Sequence, residues 1–274
     1  MARCVIPAAE ALLDQPLSVL DEGFVRLVDY MGGDARVVQA ARVSYGEGTK
    51  TVREDAGLID YLMRHDHTSP FEQVAIVVHL KLPLFIMAQL VRHRTAKLNS
   101  LSARYSKMAD QFYTPSSAEL RAQGSGNKQV GEGALPEDAG FNLACAIESH
   151  TTLAYERYEE LLAEGLSREQ ARMVLPQNLY TECYWQADLH NLFHFLQLRL
   201  HPHAQAEIQV YAQALLVLAE AVAPLCTASF KRHRLHGRRF SADELAALRT
   251  WLTHGAPPAL SERQAGELKA KLGL

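Results

Sequence analysis

The sequence predicts an α+β fold, with one sheet and many helices, and three observations carry that expectation. Strand-like apolar segments concentrate in the first third of the chain, between Leu17 and Leu82. From Asn142 onward the apolar residues recur with helical spacing. Strand and helix patterns do not alternate one for one, which disfavours a doubly wound parallel sheet. The 274 residues can bury a sizeable core, and a formal charge of -3 gives no global basicity of the kind a nucleic-acid protein needs.

Residues Leu17 to Met31 mix apolar and acidic positions around Gly23, predicting a short strand and a turn. Asp34 stands where it can cap a helix containing VVQAARV. A second helix is predicted over Arg53 to Arg64. Glu72 to Leu82 is dominated by Val, Ile and Leu and reads as a well-buried strand. Pro83 suits a helix start and leads into FIMAQLV, Phe85 to Val91. Ser116 to Gly140, with GSGNKQVGEG, predicts a long loop, either a lid or interface loop or a disordered insertion.

The remaining segments predict helices. Asn142 to Glu164 stops at Gly165, and Ser167 with Gln170 has capping-box spacing for a helix from Arg168. Beyond Pro176, Leu179 to Leu200 is expected to be one helix with Tyr, Trp, Phe and Leu on its buried side. Pro202 is expected to start another, ending near Pro224. The tail holds KRHRLHGRR and then a short helix after Ser241. Cys4, Cys145, Cys183 and Cys226 show no CxxC spacing or nucleophile signature, so a reduced cytoplasmic chain is expected. No apolar run reaches membrane-spanning length.

The chemistry concentrates in RHRTAKLNSLSARY, Arg92 to Tyr105. Arg92, Arg94 and Arg104 carry planar forks suited to phosphate or to adjacent carbonyl oxygens, and Asn99, Ser100 and Ser102 add polar groups. The residues alone leave two readings, a solvated basic patch or a site for a phosphate and a planar polar ring. Arg199 follows the apolar NLFHFLQL and either snorkels to solvent or enters a pocket. Arg172 raises the same question. His190 and His194 are four apart, with His201 and His203 nearby, yet no HExxH or cysteine partner completes a zinc pattern, and no metal is expected. His65 and His67 are equally non-specific. GEGTK, Gly46 to Lys50, is too short for a phosphate loop.

The segment RHRTAKLNSLSARY resembles the RHRxxSxNxxSxRY signature of the flavin-dependent thymidylate synthases. Similarity extends through FVRLVDYMG, AARVSYG, HDHTSPFE, ARMVLPQNLYT and LRLHPHAQAEIQ, over approximately residues 20 to 225. The resemblance implies a central, mainly antiparallel sheet packed with helices, in a catalytic domain over 1–225, with 226–274 as a basic segment and helical extension. It implies conversion of dUMP to dTMP, with 5,10-methylenetetrahydrofolate as carbon donor, NADPH as reductant and FAD as hydride carrier, in a homotetramer with shared active sites. Gln89, Arg92, Ser102, Ala103, Arg104, Arg172 and Arg199 would surround the nucleotide. Arg92, His93 and Arg94 would also reach FAD, with Ser69, Ser100, Asp188, His190 and His194 on the flavin side and His67 near the flavin and folate. Arg199 would be catalytic, stabilising charge on the uracil ring. Lys97 stands where the family pattern has serine, Ser100 where an acid is common, and Asp188 where asparagine often stands; the charge on Asp188 needs a partner if phosphates lie close. A related UMP methyltransferase is one alternative, and a non-catalytic nucleotide- or RNA-binding protein using Lys231 to Arg239 is another.

Overall fold

A computed structural model describes residues 4–43, 52–124, 131–255 and 260–274. The segment GEGTK lies outside the described residues, as do 125–130 of the expected loop. The chain divides into two compact units, Met1–Ser229 and Phe230–Leu274.

The first unit opens with a short helix, α1 (Pro7–Glu10), and a hairpin of β1 (Pro16–Val19) and β2 (Gly23–Met31). Glycine is required at position 23 by close approach, since a Cβ there would stand 2.2 Å from the Tyr211 hydroxyl and 2.7 Å from the Val19 carbonyl oxygen. Helices α2 (Asp34–Arg42) and α3 (Val52–Arg64) follow, joined by a 2.8 Å Arg42–Asp55 ion pair. Next come β3 (Ala75–Pro83), α4 (Leu84–Leu90) and the edge strand β4 (Lys97–Ser100). A five-stranded antiparallel sheet forms in the order β1-β2-β3-β7-β4, where β7 is Tyr180–Asp188.

Period-two alternation gives the sheet two different faces. Val25 and Leu27 of β2, Ile76, Val78, Leu80 and Leu82 of β3, and Thr181, Cys183, Trp185 and Ala187 of β7 are buried. Helices α7 (Leu189–Arg199) and α8 (Ala206–Val222) supply further core, including the fully buried Phe195, Leu192, Leu196, Leu215 and Leu218. The alternate residues build a polar row across three strands. Asp14 pairs with Arg26 at 3.0 Å, Arg26 reaches His79 at 2.9 Å, and His79 reaches Glu182 at 2.8 Å, with Tyr184 stacked on the His79 ring.

Several local expectations are corrected. Leu179 to Leu200 is not one helix: β7 occupies its first half and α7 its second. The buried Thr181, Cys183, Trp185 and Ala187 alternate with period two, and β-branched and aromatic side chains suit a pleated surface paired on both edges. Asp34 opens α2 but caps α9 (Pro224–Phe230), its two carboxylate oxygens each accepting at 2.9 Å from the N–H groups of Leu225 and Cys226. Ser167 makes no side-chain cap for α6 (Arg168–Ala171). The region from Ser116 to Gly140 is not loop throughout, since β5 (Arg121–Gln123) pairs with β6 (Gly131–Ala134) and α5 (Glu137–Ala163) begins before Gly140. Helix α8 starts at Ala206 rather than at Pro202.

The second unit opens with a π-helical turn, Lys231–Leu235, and holds two helices after Ser241 where one was expected, α10 (Ala242–His254) and α11 (Glu262–Leu272). Ser241 and Ser261 each complete a capping box. Lys271 reaches both carboxylate oxygens of the buried Glu244, at 2.6 and 2.7 Å. No helix among the described residues is long and apolar enough to cross a membrane.

Candidate active site

Helix α4 is a short apolar anchor whose Ile86 and Leu90 are buried, and it ends at the charged RHR segment. There the chain turns and runs beside α7. His93 is half-buried, with Phe195 edge-on at 4.8 Å and His194 at 6.0 Å, whereas Arg92 and Arg94 are exposed. Phe195 in turn packs on Trp185 at 5.5 Å, so an aromatic stack links the sheet core to the RHR segment.

Arg199, in the last turn of α7, donates from Nε to His93 Nε2 at 3.1 Å and from Nη2 to the Gln89 carbonyl oxygen at 3.3 Å. Because Nε2 accepts, the imidazole is neutral with its proton on Nδ1. Burial, then the nearby Arg199 charge and His194, push the His93 pKa down to about 4. Burial also lowers the Arg199 pKa, yet a guanidinium stays cationic at neutral pH. Arg199 is therefore delivered inward and does not snorkel. Gln89 has a second link, donating from Nε2 to Gln205 Oε1 at 2.6 Å.

A second group lies beyond β4. Ser102 and Ala103 are half-buried, and Ala103 packs on a core around Met108, Tyr158, Ala171 and Leu179. Tyr155 and Tyr158 of α5 fix this loop by bonding the carbonyl and N–H of Met108, at 3.0 and 3.2 Å. Arg104 pairs with Glu169 at 3.0 Å, and Arg172 donates to the Glu169 carbonyl at 3.3 Å. One glutamate thus gathers two of the four arginines predicted to meet the nucleotide.

His67 and Ser69 form a third group. Helix α3 ends as the His67 N–H bonds the Leu62 carbonyl at 3.0 Å, with Asp66 in the left-handed region at φ 59°. The two residues line a depression of about 520 Å³ with Ala40, Ala41, Thr68 and Pro70. His67 also meets the Tyr61 ring edge-on at 5.8 Å.

Of the positions expected on the flavin side, Asp188 caps α7 and His190 lies in the first turn of that helix, at the β7–α7 junction, whereas Ser100 pairs with Cys183, five residues back along β7. Asp188 does not stand as a bare charge, because Oδ1 accepts from the Asn191 N–H at 2.9 Å and Oδ2 from Asn191 Nδ2 at 2.7 Å. Lys97 is exposed on β4. Among the described residues no group of three or more His, Cys, Asp or Glu side chains could hold a metal ion. Sequence reasoning passed over Thr95, Glu169, Asn191 and Gln205. Asp188 and Asn191 do have cap spacing, a signal hidden while the helix was placed across them.

The profile of the family described as thymidylate synthase complementing protein matches residues 26–225. The chain belongs to that family. It is 49% identical over 277 residues to the flavin-dependent thymidylate synthase of Treponema pallidum, across 100% of this chain and 90% of that protein. It is 55% identical over 243 residues to a flavin-dependent thymidylate synthase of Thermus thermophilus, across 88% of each. The similarity to the Treponema protein takes in the N-terminal stretch and the tail beyond Cys226, where the sequence motifs carried no resemblance. Among solved structures, the UMP/dUMP methylase PolB of Streptomyces cacaoi bound with 5-Br dUMP matches at TM-score 0.73 and 32% identity, over 80% of this chain and 99% of that one. The same methylase bound with 5-Br UMP matches at TM-score 0.72.

In this thymidylate synthase family member, Cys4 and Cys145 are exposed and Cys183 and Cys226 are buried. Cys183 is buried in β7 and its pKa is raised to about 12 by that burial. Cys226 is likewise raised, by burial and by the Asp34 carboxylate. Neither presents a thiolate at neutral pH.

Proposed function

We propose that this chain is a flavin-dependent thymidylate synthase. It converts dUMP to dTMP by reductive methylation, with 5,10-methylenetetrahydrofolate giving the carbon and NADPH the electrons. One observation carries the reading: in a chain of this family, the half-buried Arg199 cation is docked on neutral His93 of the RHR segment. That contact brings a ring-activating guanidinium beside the phosphate-binding Arg92 and Arg94.

The residues fit a flavin dinucleotide. Arg92 and Arg94 project exposed guanidinium forks suited to a diphosphate, and the nearby Asp188 carboxylate is already held by Asn191. FAD, when bound, supplies hydride chemistry that no side chain can. The chain's own residues bind and orient. Ser102, Arg104 and Arg172 address the nucleotide phosphate, while Gln89 and Ala103 flank the nucleotide. Arg199 commits one donor to His93 and one to the Gln89 carbonyl, leaving other N–H groups for the uracil carbonyl oxygens and N3. A preorganised cation there stabilises negative charge developing on the ring. Arg92, His93, Arg94, Ser69, Ser100, Asp188, His190 and His194 form the flavin side, with His67 toward the folate.

A cytoplasmic homotetramer with shared sites accounts for the separation of these groups along one chain. In support, all four β4 residues are exposed, Leu98 among them, and Leu101 after the strand and Tyr184 opposite Asn99 leave further apolar surface. Residues 1–225 are proposed as the catalytic part and 226–274 as a helical extension.

The test is direct. Purified protein should be yellow, should bleach on addition of NADPH, and should form dTMP from dUMP and the folate. No flavin binding together with no dTMP would overturn the reading. The UMP/dUMP methylase likeness favours one second reading, a UMP methyltransferase. Faster turnover of UMP than of dUMP would select it.

A further inference from the structure

We propose that Thr95 and Asn191, anchored on Asp188, are positioning residues that fix the RHR segment for the flavin. The proposal rests on the reading of that segment as a flavin site. Thr95 Oγ1 donates to Asn191 Oδ1 at 2.6 Å across 96 residues of sequence. Asn191 Nδ2 donates to Asp188 Oδ2 at 2.7 Å, and the Asn191 backbone N–H donates to Asp188 Oδ1 at 2.9 Å.

The chemistry gives this relay one direction. An ionised carboxylate only accepts, so Asn191 must turn its NH2 toward Asp188. Its carbonyl oxygen then faces away and can only accept, which selects a hydroxyl donor. Thr95 supplies one. Every donor in the relay points toward a single half-buried charge, the arrangement in which neighbouring hydrogen bonds strengthen each other.

The placement matters as much as the bonds. The RHR segment is tied to α7 twice, by His93 to Arg199 in the last turn and by Thr95 to Asn191 in the first. Between these ties the His93 ring rests on Phe195. Arg92 and Arg94, which alternate with the tied residues, are left exposed. Two anchor points fix the position of the segment and restrict its rotation, and so limit the directions in which both guanidinium groups can project. Asp188 then also serves the flavin side through Asn191 and Thr95. This also explains how an acidic residue is tolerated where phosphates are expected.

Thr95→Val removes the hydroxyl at nearly constant shape, Thr95→Ser keeps it, and Asn191→Leu breaks both side-chain bonds. In the full chain, we expect Thr95→Val to weaken FAD binding about 3- to 10-fold by fluorescence titration, the range one such bond supports. Thr95→Ser should restore wild-type affinity. Adding Asn191→Leu to Thr95→Val should cost less than its effect in the wild type, because the two act as one unit. In flavin-free protein, amide exchange over residues 92–97 should quicken in Thr95→Val while the unfolding temperature stays near wild type. Unchanged exchange over 92–97 would overturn the tether whatever the flavin does. Unchanged FAD affinity with quickened exchange would overturn its role toward the flavin. If the wild type itself binds no FAD, the flavin-site reading falls and the proposal with it, which the exchange result cannot mimic.

Discussion

Arg199 and His93 are a pair whose worth comes from what each does to the other. The imidazole accepts from the guanidinium, so it holds Arg199 in place and is itself kept unprotonated. Changing Arg199 to Ala should cost about 2.7–4 kcal/mol at the transition state, roughly 10²- to 10³-fold in kcat, with flavin still bound. Steady-state dTMP formation beside the flavin spectrum checks this. His93 also gives a pH dependence of defined sign. Its pKa falls from 6.5 to about 4 on folding, so between those values the unfolded chain binds more protons. Stability should therefore fall as pH drops below about 6.5, the loss being complete near 4. His93→Gln, which cannot charge, should flatten that part of the difference in unfolding temperature between variant and wild type. These residues were visible in the sequence as RHR and as an arginine closing an apolar run. Their contact was not, since 106 residues separate them.

At the level of elements, the sequence was most legible where one face or one cap decides the structure. The turn near Gly23, the strand running to Pro83 and the long helix that stops before Gly165 all follow from local pattern, though two strands flank that turn where one short strand was expected. It misled at Tyr180–Asp188, where aromatic residues fit a helix face as well as a pleat; pairing to β3 on one side and β4 on the other decided for the strand. Asp34 shows the same lesson in capping. Its position suited its own helix, but tertiary packing brought the N-terminus of α9 to it instead. Asp34→Ala should cost about 0.5–2 kcal/mol, because two backbone N–H groups lose their acceptor. Denaturant unfolding of the full chain reads that cost, and no change in midpoint would refute the cap.

For the whole molecule, the exposed β4 edge is the feature a single chain leaves unfinished. An edge strand with four exposed residues and apolar neighbours is a surface for a second chain to cover. Leu98→Asp should shift the proposed tetramer toward smaller species by light scattering and weaken flavin binding with it. A tetramer that keeps its flavin in that variant would refute β4 as the interface.

Chemical inventory and family were already legible along the chain: RHRTAKLNSLSARY, the arginines at 172 and 199, and the α+β class. Such signals are local, carried by residue type and spacing. Folding in three dimensions was needed to make His93 neutral beneath Arg199, to bring Thr95 to the Asp188–Asn191 cap, and to bring Arg104 to Glu169. Hydrogen-bond partners and burial depend on which distant segments the sheet and helices bring together, and no local spacing encodes that.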